Sequence, residues 1–266
     1  MSFPEGPIWL IGCGNMAGAM LRRWLACGLD PRQVTVVTRS GRGAPDGVRS
    51  LTTLPADEVP ATLMLGFKPQ QLDDVAPTLA HLRPALLLSI LAGVETRALA
   101  SRIPAGAVVR MMPNLPVAIG QGVTALFTNS ADPDVRAAAE ALATPLGIAP
   151  WVEDEDRFDA VTALAGCGPA FVFRFIDALA QAGVGLGISP DMAQRLALAT
   201  VDGAGAMAMN AQVDAATLAD RVASPGGSTR EGLNVLDADN ALLRMMADTL
   251  AASERRNREM AAAARR

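Results

Sequence analysis

The segment IWLIGCGNMAGAM, close to the N-terminus, sets Gly12, Gly14 and Ala17 in a G-x-G-x-x-A pattern directly after an apolar run. In a strand–turn–helix setting this pattern holds the pyrophosphate of a dinucleotide. The first glycine permits the tight turn, the second lets the backbone approach the phosphates, and the small third residue lets helix and strand pack closely. Asn15 and Met16 lie at the helix start, where backbone N–H groups point at an anion. Without a ligand the same residues make an ordinary strand-to-helix turn. A second stretch, VVTRSGRG, ends the next apolar run with Thr38, Arg39, Ser40 and Arg42 and no acidic residue. A site selective for NAD places Asp or Glu there to bond the ribose 2′-hydroxyl. Two arginines and a serine suit a 2′-phosphate instead, which favours NADP(H) and leaves NADH possible. The other reading is a pair of solvated arginines on a loop.

Three further turns follow apolar runs in the same manner. Lys68 and Pro69 stand in GFKPQ, Ala92 and Gly93 in LAGV, and Asn114 between two prolines in MPNLP. The carboxyl ends of parallel strands line the ligand crevice of an open α/β sheet, so these turns extend the cofactor candidate set. Farther along, Pro225, Gly226 and Gly227 interrupt a long helical texture in SPGGSTREG. Ser228 and Glu231 read as a capping box, which predicts a helix starting at Thr229. A cap does not require two glycines before it. Paired glycines, two hydroxyls and a helix N-terminus make a concentrated donor set for a carboxylate or phosphate.

The chain has one histidine (His81), one lysine (Lys68) and no tyrosine, so the usual general acids are almost absent. Cys13, Cys27 and Cys167 are too few and too scattered for a disulfide framework or a zinc site, and no metal is expected. Reduced cysteines point to the cytoplasm. The net charge of −4 gives no support for nucleic-acid binding. No stretch of 18 apolar residues runs without a charge or a breaker, so no transmembrane helix is expected, and the N-terminus lacks the basic start of a signal peptide. Only the tail is basic, with Arg255, Arg256, Arg258, Arg265 and Arg266.

The elements that must carry these turns fall into two textures. Apolar runs at Ile8–Ile11, Val34–Thr38, Thr62–Phe67, Ala85–Ile90, Ala107–Met111 and Thr124–Phe127, with another near Ile148–Val152, alternate with helical stretches. They predict an α/β Rossmann domain with a mostly parallel, doubly wound sheet. Beyond Trp151 the chain is Ala-rich and helical, with helices expected over 155–166, 169–184, 190–210, 214–222 and 229–260. The boundary is placed near 152–156, which gives a dinucleotide-binding domain over 1–153 and an all-α domain over 154–266.

The pieces GCGNMAGAML, FKPQ, MPN, GCGPAF and ASPGGSTREGLNVL, in that order from Ile8 to about Leu250, resemble pyrroline-5-carboxylate reductase. The resemblance implies an N-terminal Rossmann domain and a C-terminal helical domain that interleaves with a second copy into a homodimer or higher homo-oligomer. It implies reduction of 1-pyrroline-5-carboxylate to L-proline by NAD(P)H. It also implies a substrate loop at Ser224, Gly226, Gly227, Ser228 and Thr229, with Thr229 as the catalytic contact and backbone N–H groups on the carboxylate. Cys167 falls in the substrate set where the family usually has serine, which replaces a good donor with a weak one. Leu115 stands where the family usually has threonine, and Arg230 where a small or apolar residue is expected.

A protonated cyclic imine is already an electrophile, and hydride transfer gives a neutral amine. Position and electrostatics then matter more than a dedicated acid, in agreement with the scarcity of His, Lys and Tyr. Three other readings stay open on the residues alone. These are a reductase of another cyclic imine or ketimine, a β-hydroxyacid dehydrogenase, and a non-catalytic NADPH-binding sensor. The second of these wants a catalytic lysine after the domain link, where GCGPAFVFRF has none.

Overall fold

The computed structural model describes residues 3–264, so Arg265 and Arg266 of the basic tail lie outside the described residues. Eight strands form the sheet: β1 (Ile8–Ile11), β2 (Val34–Val37), β3 (Arg49–Leu51), β4 (Thr62–Leu65), β5 (Leu86–Ser89), β6 (Ala107–Pro113), β7 (Gly122–Thr128) and β8 (Gly147–Ile148). They stand in the order β3-β2-β1-β4-β5-β6-β7-β8. Every pairing is parallel except the β6–β7 pair, which is antiparallel. Each residue of β1, β2, β4 and β5 is buried, as near-continuous Val, Leu, Ile and Met runs require when helices cover both faces.

Alternate residues of β1 feed two cores. Ile8 and Leu10 pack with Met20, Leu21 and Trp24 of α1 (Asn15–Ala26), and with Leu142 farther on. Trp9 and Ile11 pack with Leu72 and Leu79 of α2 (Leu72–Leu79), and with Leu99 of α3 (Thr96–Arg102). Leu142 belongs to α4 (Pro133–Ala143), and its carbonyl accepts a 2.6 Å hydrogen bond from Trp24 Nε1. From β1 the order runs outward through β2 on one side and β4 on the other, which opens a crevice at the carboxyl ends. β3 escapes the sequence reading because its three residues are exposed or half-buried and carry no apolar run.

The expected boundary near 152–156 follows the change in composition, but the compact units divide elsewhere. One unit contains the sheet with all residues to Cys167 and the stretch from Ser253 on; the other is Gly168–Ala252. The difference has a packing reason. Phe158, at the start of α5 (Phe158–Val161), is fully buried beside Met112 and Phe127 of the sheet. Asn257 is also buried and donates to the Asp159 carbonyl at 3.2 Å. A π-type turn over Thr162–Gly166 continues from α5.

The helical unit holds α6 (Gly168–Gly185), α7 (Pro190–Met209), α8 (Ala215–Arg221), α9 (Ser228–Asp237) and the first part of α10 (Ala241–Ala264). Ile176 and Ala180 of α6 bury against Ala193 and Ala197 of α7, small residues that let the two helices approach closely. The single helix expected over 229–260 is two. Asp239 and Asn240 adopt left-handed angles (φ 50° and 56°) and break the run. Asp and Asn tolerate that region, so the break carries no glycine or proline to announce it. Large apolar side chains stay exposed on this unit, among them Phe173, Phe175, Leu196, Met207, Met209 and Val235.

One helical run, Glu155–Gly185, is long and apolar enough to cross a membrane by length and composition. The expectation concerned an apolar stretch free of charges and breakers, and this run is not one, since Gly166, Gly168, Pro169, Arg174 and Asp177 interrupt it. Within it, one window of 18 residues has a mean hydropathy of 1.4 with no more than two charges.

Candidate active site

A cleft of about 810 Å³ opens at the carboxyl ends of β1, β2, β4, β5 and β6. The glycine turn forms its floor. Gly12 has φ +87°, and a Cβ there would stand 2.9 Å from the Gly66 backbone carbonyl, so the turn admits only glycine. Its N–H donates to the Val37 carbonyl at 2.9 Å, tying the turn to β2. Gly14 is the N-cap of α1 and supplies no side chain to the cap. A Cβ built on Gly14 meets nothing within 4 Å. The first intrahelical bond runs from Gly18 N–H to the Gly14 carbonyl at 2.8 Å, so the N–H groups of Asn15, Met16 and Ala17 have no partner within the helix. A diphosphate suits this opening by hydrogen bonding and by the positive end of the helix dipole.

Thr38, Arg39, Ser40 and Arg42 line the same cleft from the end of β2. Their loop is pinned. Thr38 Oγ1 donates to the Arg42 carbonyl (3.2 Å), Ser50 Oγ to the Gly41 carbonyl (2.9 Å), and Arg42 N–H to Ser40 Oγ (3.3 Å). The Cys13 thiol donates to the Gly43 carbonyl at 3.3 Å, fastening this loop to the glycine turn. Burial pushes the Cys13 thiol above its ordinary range against the pull of Arg22, which favours the protonated donor. Arg39 and Arg42 are exposed and form no ion pair among the described residues, so both cations are available to a phosphate.

Lys68, Pro69 and Ala92 also line the cleft. Gly93 and Asn114 do not. Gly93 has φ +73°, and a Cβ there would stand 2.9 Å from the Ala261 backbone nitrogen, so glycine permits the close passage of α10. Asn114, expected to present its amide to a ligand, spends it inside the unit. Its Nδ2 donates to the Ala165 carbonyl at 2.9 Å and its Oδ1 accepts from Val123 N–H at 2.8 Å. Met112 and Pro113 line the cleft beside it. Sequence reasoning passed over these two, and over Cys13, Gly66, Phe67, Gln71 and Ile90, which share the lining. Their shared signal is position at or just beyond a strand's carboxyl end. The lining carries Arg39, Arg42 and Lys68 and no acidic residue or histidine, so the cleft is built for an anion.

Cys167 caps the π-type turn, with its N–H on the Thr162 carbonyl at 3.0 Å; its thiol is half-buried and unpaired. Ser224–Thr229 belongs to the helical unit. There Gly227 N–H donates to the Ser224 carbonyl at 3.0 Å, and Gly226 turns with φ +72°. The capping box expected of Ser228 and Glu231 is absent. Gly227 takes extended angles (φ −83°, ψ 157°) and is itself the N-cap, so α9 begins one residue earlier, at Ser228, with no side-chain cap. The first intrahelical bond is Glu231 N–H to the Gly227 carbonyl (3.3 Å), which leaves the N–H groups of Ser228, Thr229 and Arg230 without a helical partner. Arg230 Nη2 lies 2.7 Å from Asp220 Oδ1 and ties α9 to α8.

Comparison with known proteins matches both parts of the chain. The family described as "Pyrroline-5-carboxylate reductase dimerisation" matches residues 155–260, and the one described as "NADP oxidoreductase coenzyme F420-dependent" matches residues 7–93. A pyrroline-5-carboxylate reductase of Pseudomonas aeruginosa is 36% identical over 276 residues, covering 98% of each chain. One from Synechocystis is 38% identical over 86% of this chain and 88% of its own. The solved structure of a pyrroline-5-carboxylate reductase from Coxiella burnetii superposes with a TM-score of 0.83 at 29% identity, over 97% of this chain and 99% of that one. With likeness of this extent over both units, the chain belongs to the pyrroline-5-carboxylate reductase family.

Proposed function

We propose that the family's reaction, reduction of 1-pyrroline-5-carboxylate to proline, proceeds here with NADPH along Gly12–Ala17 and the substrate carboxylate on the N–H groups that open α9. The observation that carries this reading is a pair of glycine-capped helix starts, at Gly14 and Gly227, each with unspent N–H donors. The cofactor supplies a hydride. Arg39, Ser40 and Arg42 hold its 2′-phosphate, and Thr38, Lys68, Pro69 and Ala92 border it. The Ser228, Thr229 and Arg230 N–H groups hold the substrate carboxylate, and the Thr229 hydroxyl faces the ring nitrogen. The protonated imine carbon takes the hydride, its π pair returns to nitrogen as the C=N bond becomes single, and no residue has to supply a proton in that step. That suits a cofactor cleft lined by no histidine or carboxylate.

The working form is a homodimer or higher homo-oligomer through the helical unit, supported by the matched dimerisation family and the exposed apolar side chains of α6 and α7. Three unpaired cysteines fit a reducing compartment, the cytoplasm.

Purified chain given 1-pyrroline-5-carboxylate and NADPH is expected to oxidise the cofactor and form proline; no turnover with either NADPH or NADH would sink the reading. Arg39→Ala and Arg42→Ala are each expected to raise the KM for NADPH about tenfold (~1.5 kcal/mol for a lost charge-assisted hydrogen bond) and to leave that for NADH within twofold. Equal effects on both cofactors would move the 2′-phosphate elsewhere.

A further inference from the structure

The loop that carries Arg39 and Arg42 is held by three side chains on three successive carbonyls. Ser50 Oγ of β3 donates to the Gly41 carbonyl (2.9 Å), Thr38 Oγ1 to that of Arg42 (3.2 Å), and the Cys13 thiol to that of Gly43 (3.3 Å). The anchors come from three places: the edge strand of the sheet, the start of the loop, and the glycine turn after β1. Cys13 thus joins the turn that faces a pyrophosphate to the loop that faces a 2′-phosphate. The two backbones approach closely there, since a Cβ on Gly43 would stand 3.1 Å from the Cys13 carbonyl oxygen.

The loop has a physical need for anchors. Gly41 and Gly43 both take positive φ (63° and 98°), and glycine loses more conformational freedom on ordering than any other residue. Arg39 and Arg42 are exposed and form no ion pair among the described residues, so no charge contact within the protein fixes them. Without the anchors an arriving cofactor would have to order this segment, and that cost comes off its affinity. With them the backbone beneath both arginines is set beforehand. NADH has no 2′-phosphate for the arginines to hold, so it gains little from that order. Ser50 gives the cleanest view of the effect. It is exposed on β3 and stands outside the cleft lining, so it reaches a cofactor only through the loop.

We propose that Cys13 and Ser50 are positioning residues that set the preference for NADPH over NADH, by holding the 38–43 loop in the form its arginines need. The proposal rests on the reading that Arg39 and Arg42 hold the 2′-phosphate.

Fluorescence titration of the full chain with NADPH and with NADH tests it. Cys13→Ala and Ser50→Ala are each expected to raise the Kd of NADPH about threefold, as for one neutral hydrogen bond, and the double variant about tenfold. The Kd of NADH is expected to stay within about 1.5-fold throughout. Cys13→Ser keeps a donor and is expected to hold the wild-type ratio of the two Kd values. Arg42→Ala, titrated alongside, separates this proposal from the reading beneath it. If Arg42→Ala lowers the preference for NADPH while Cys13→Ala and Ser50→Ala leave it unchanged, the arginines hold the phosphate and the proposal is overturned. If none of the three changes the preference, the 2′-phosphate lies elsewhere and both fall. Equal losses for NADPH and NADH would make the anchors supports of the whole cleft, which also overturns the proposal. Should Cys13→Ala bind neither cofactor, Ser50→Ala decides alone, because its exposed site on the edge strand spares the core.

Discussion

Thr229→Ala is expected to lower kcat about 30-fold, or ~2 kcal/mol for one hydrogen bond to a group that carries charge, and to leave the Kd of NADPH unchanged. Thr229 is the second residue of α9, exposed, and its hydroxyl makes no hydrogen bond among the described residues. Its loss therefore breaks nothing that holds the fold. Alanine is also the better helix former, so the variant should melt no lower than wild type. A fall in turnover then reports on the reaction alone. Steady-state rates with 1-pyrroline-5-carboxylate, set beside a fluorescence titration of NADPH, make the measurement. Thr229→Ser keeps the hydroxyl and is expected to recover most of the rate. Unchanged kcat in the alanine variant would remove the residue from the reaction, and a parallel loss of cofactor affinity would point to a disturbed fold.

The second large effect separates two glycines that a sequence pattern treats alike. Gly14→Val is expected to weaken NADPH binding at least a hundredfold with Tm nearly unchanged. Gly12→Ala is expected to lose several degrees of Tm along with binding. At Gly14 the backbone is not left-handed (φ −76°) and a Cβ meets nothing within 4 Å, so the protein itself has room. The space is the one the phosphates need. At Gly12 the positive φ and the Gly66 carbonyl 2.9 Å away both oppose a side chain, which costs roughly 1–3 kcal/mol in strain before any ligand is considered. Calorimetric melting and NADPH titration of both variants decide the point. If Gly14→Val bound NADPH normally, the pyrophosphate would lie elsewhere.

How much of this could be read beforehand follows from the kind of force involved. Strands covered on both faces advertise themselves through continuous apolar runs, so β1, β2 and β4 to β7 were visible; β3, short and exposed, was not, and the run expected near Ile148–Val152 meets β8 only at Ile148. The place of the loop after β2 on the cleft was legible from its position at a strand's carboxyl end, and Thr38, Arg39, Ser40 and Arg42 line it. Polar contacts across the fold were not legible. The prolines around Asn114 suggested a presented amide, yet Val123, across the β6–β7 turn, and Ala165, distant in sequence, claim both of its ends. The capping box failed by one residue, because Gly227 took the cap and no local pattern distinguishes the two registers. The anchors of the loop after β2 have no periodicity to betray them; they exist only once Cys13, Thr38 and Ser50 meet its carbonyls.

The helix α9 begins at a glycine that gives it no side-chain support and ends before the left-handed pair Asp239 and Asn240. Ten residues is short for a helix that must hold itself together at both ends. Its first turn should therefore fray on its own, and an arriving carboxylate would close it. Amide hydrogen exchange at the start of α9 should then slow when the seat is filled and quicken as the product leaves, so that the backbone itself keeps a record of occupancy.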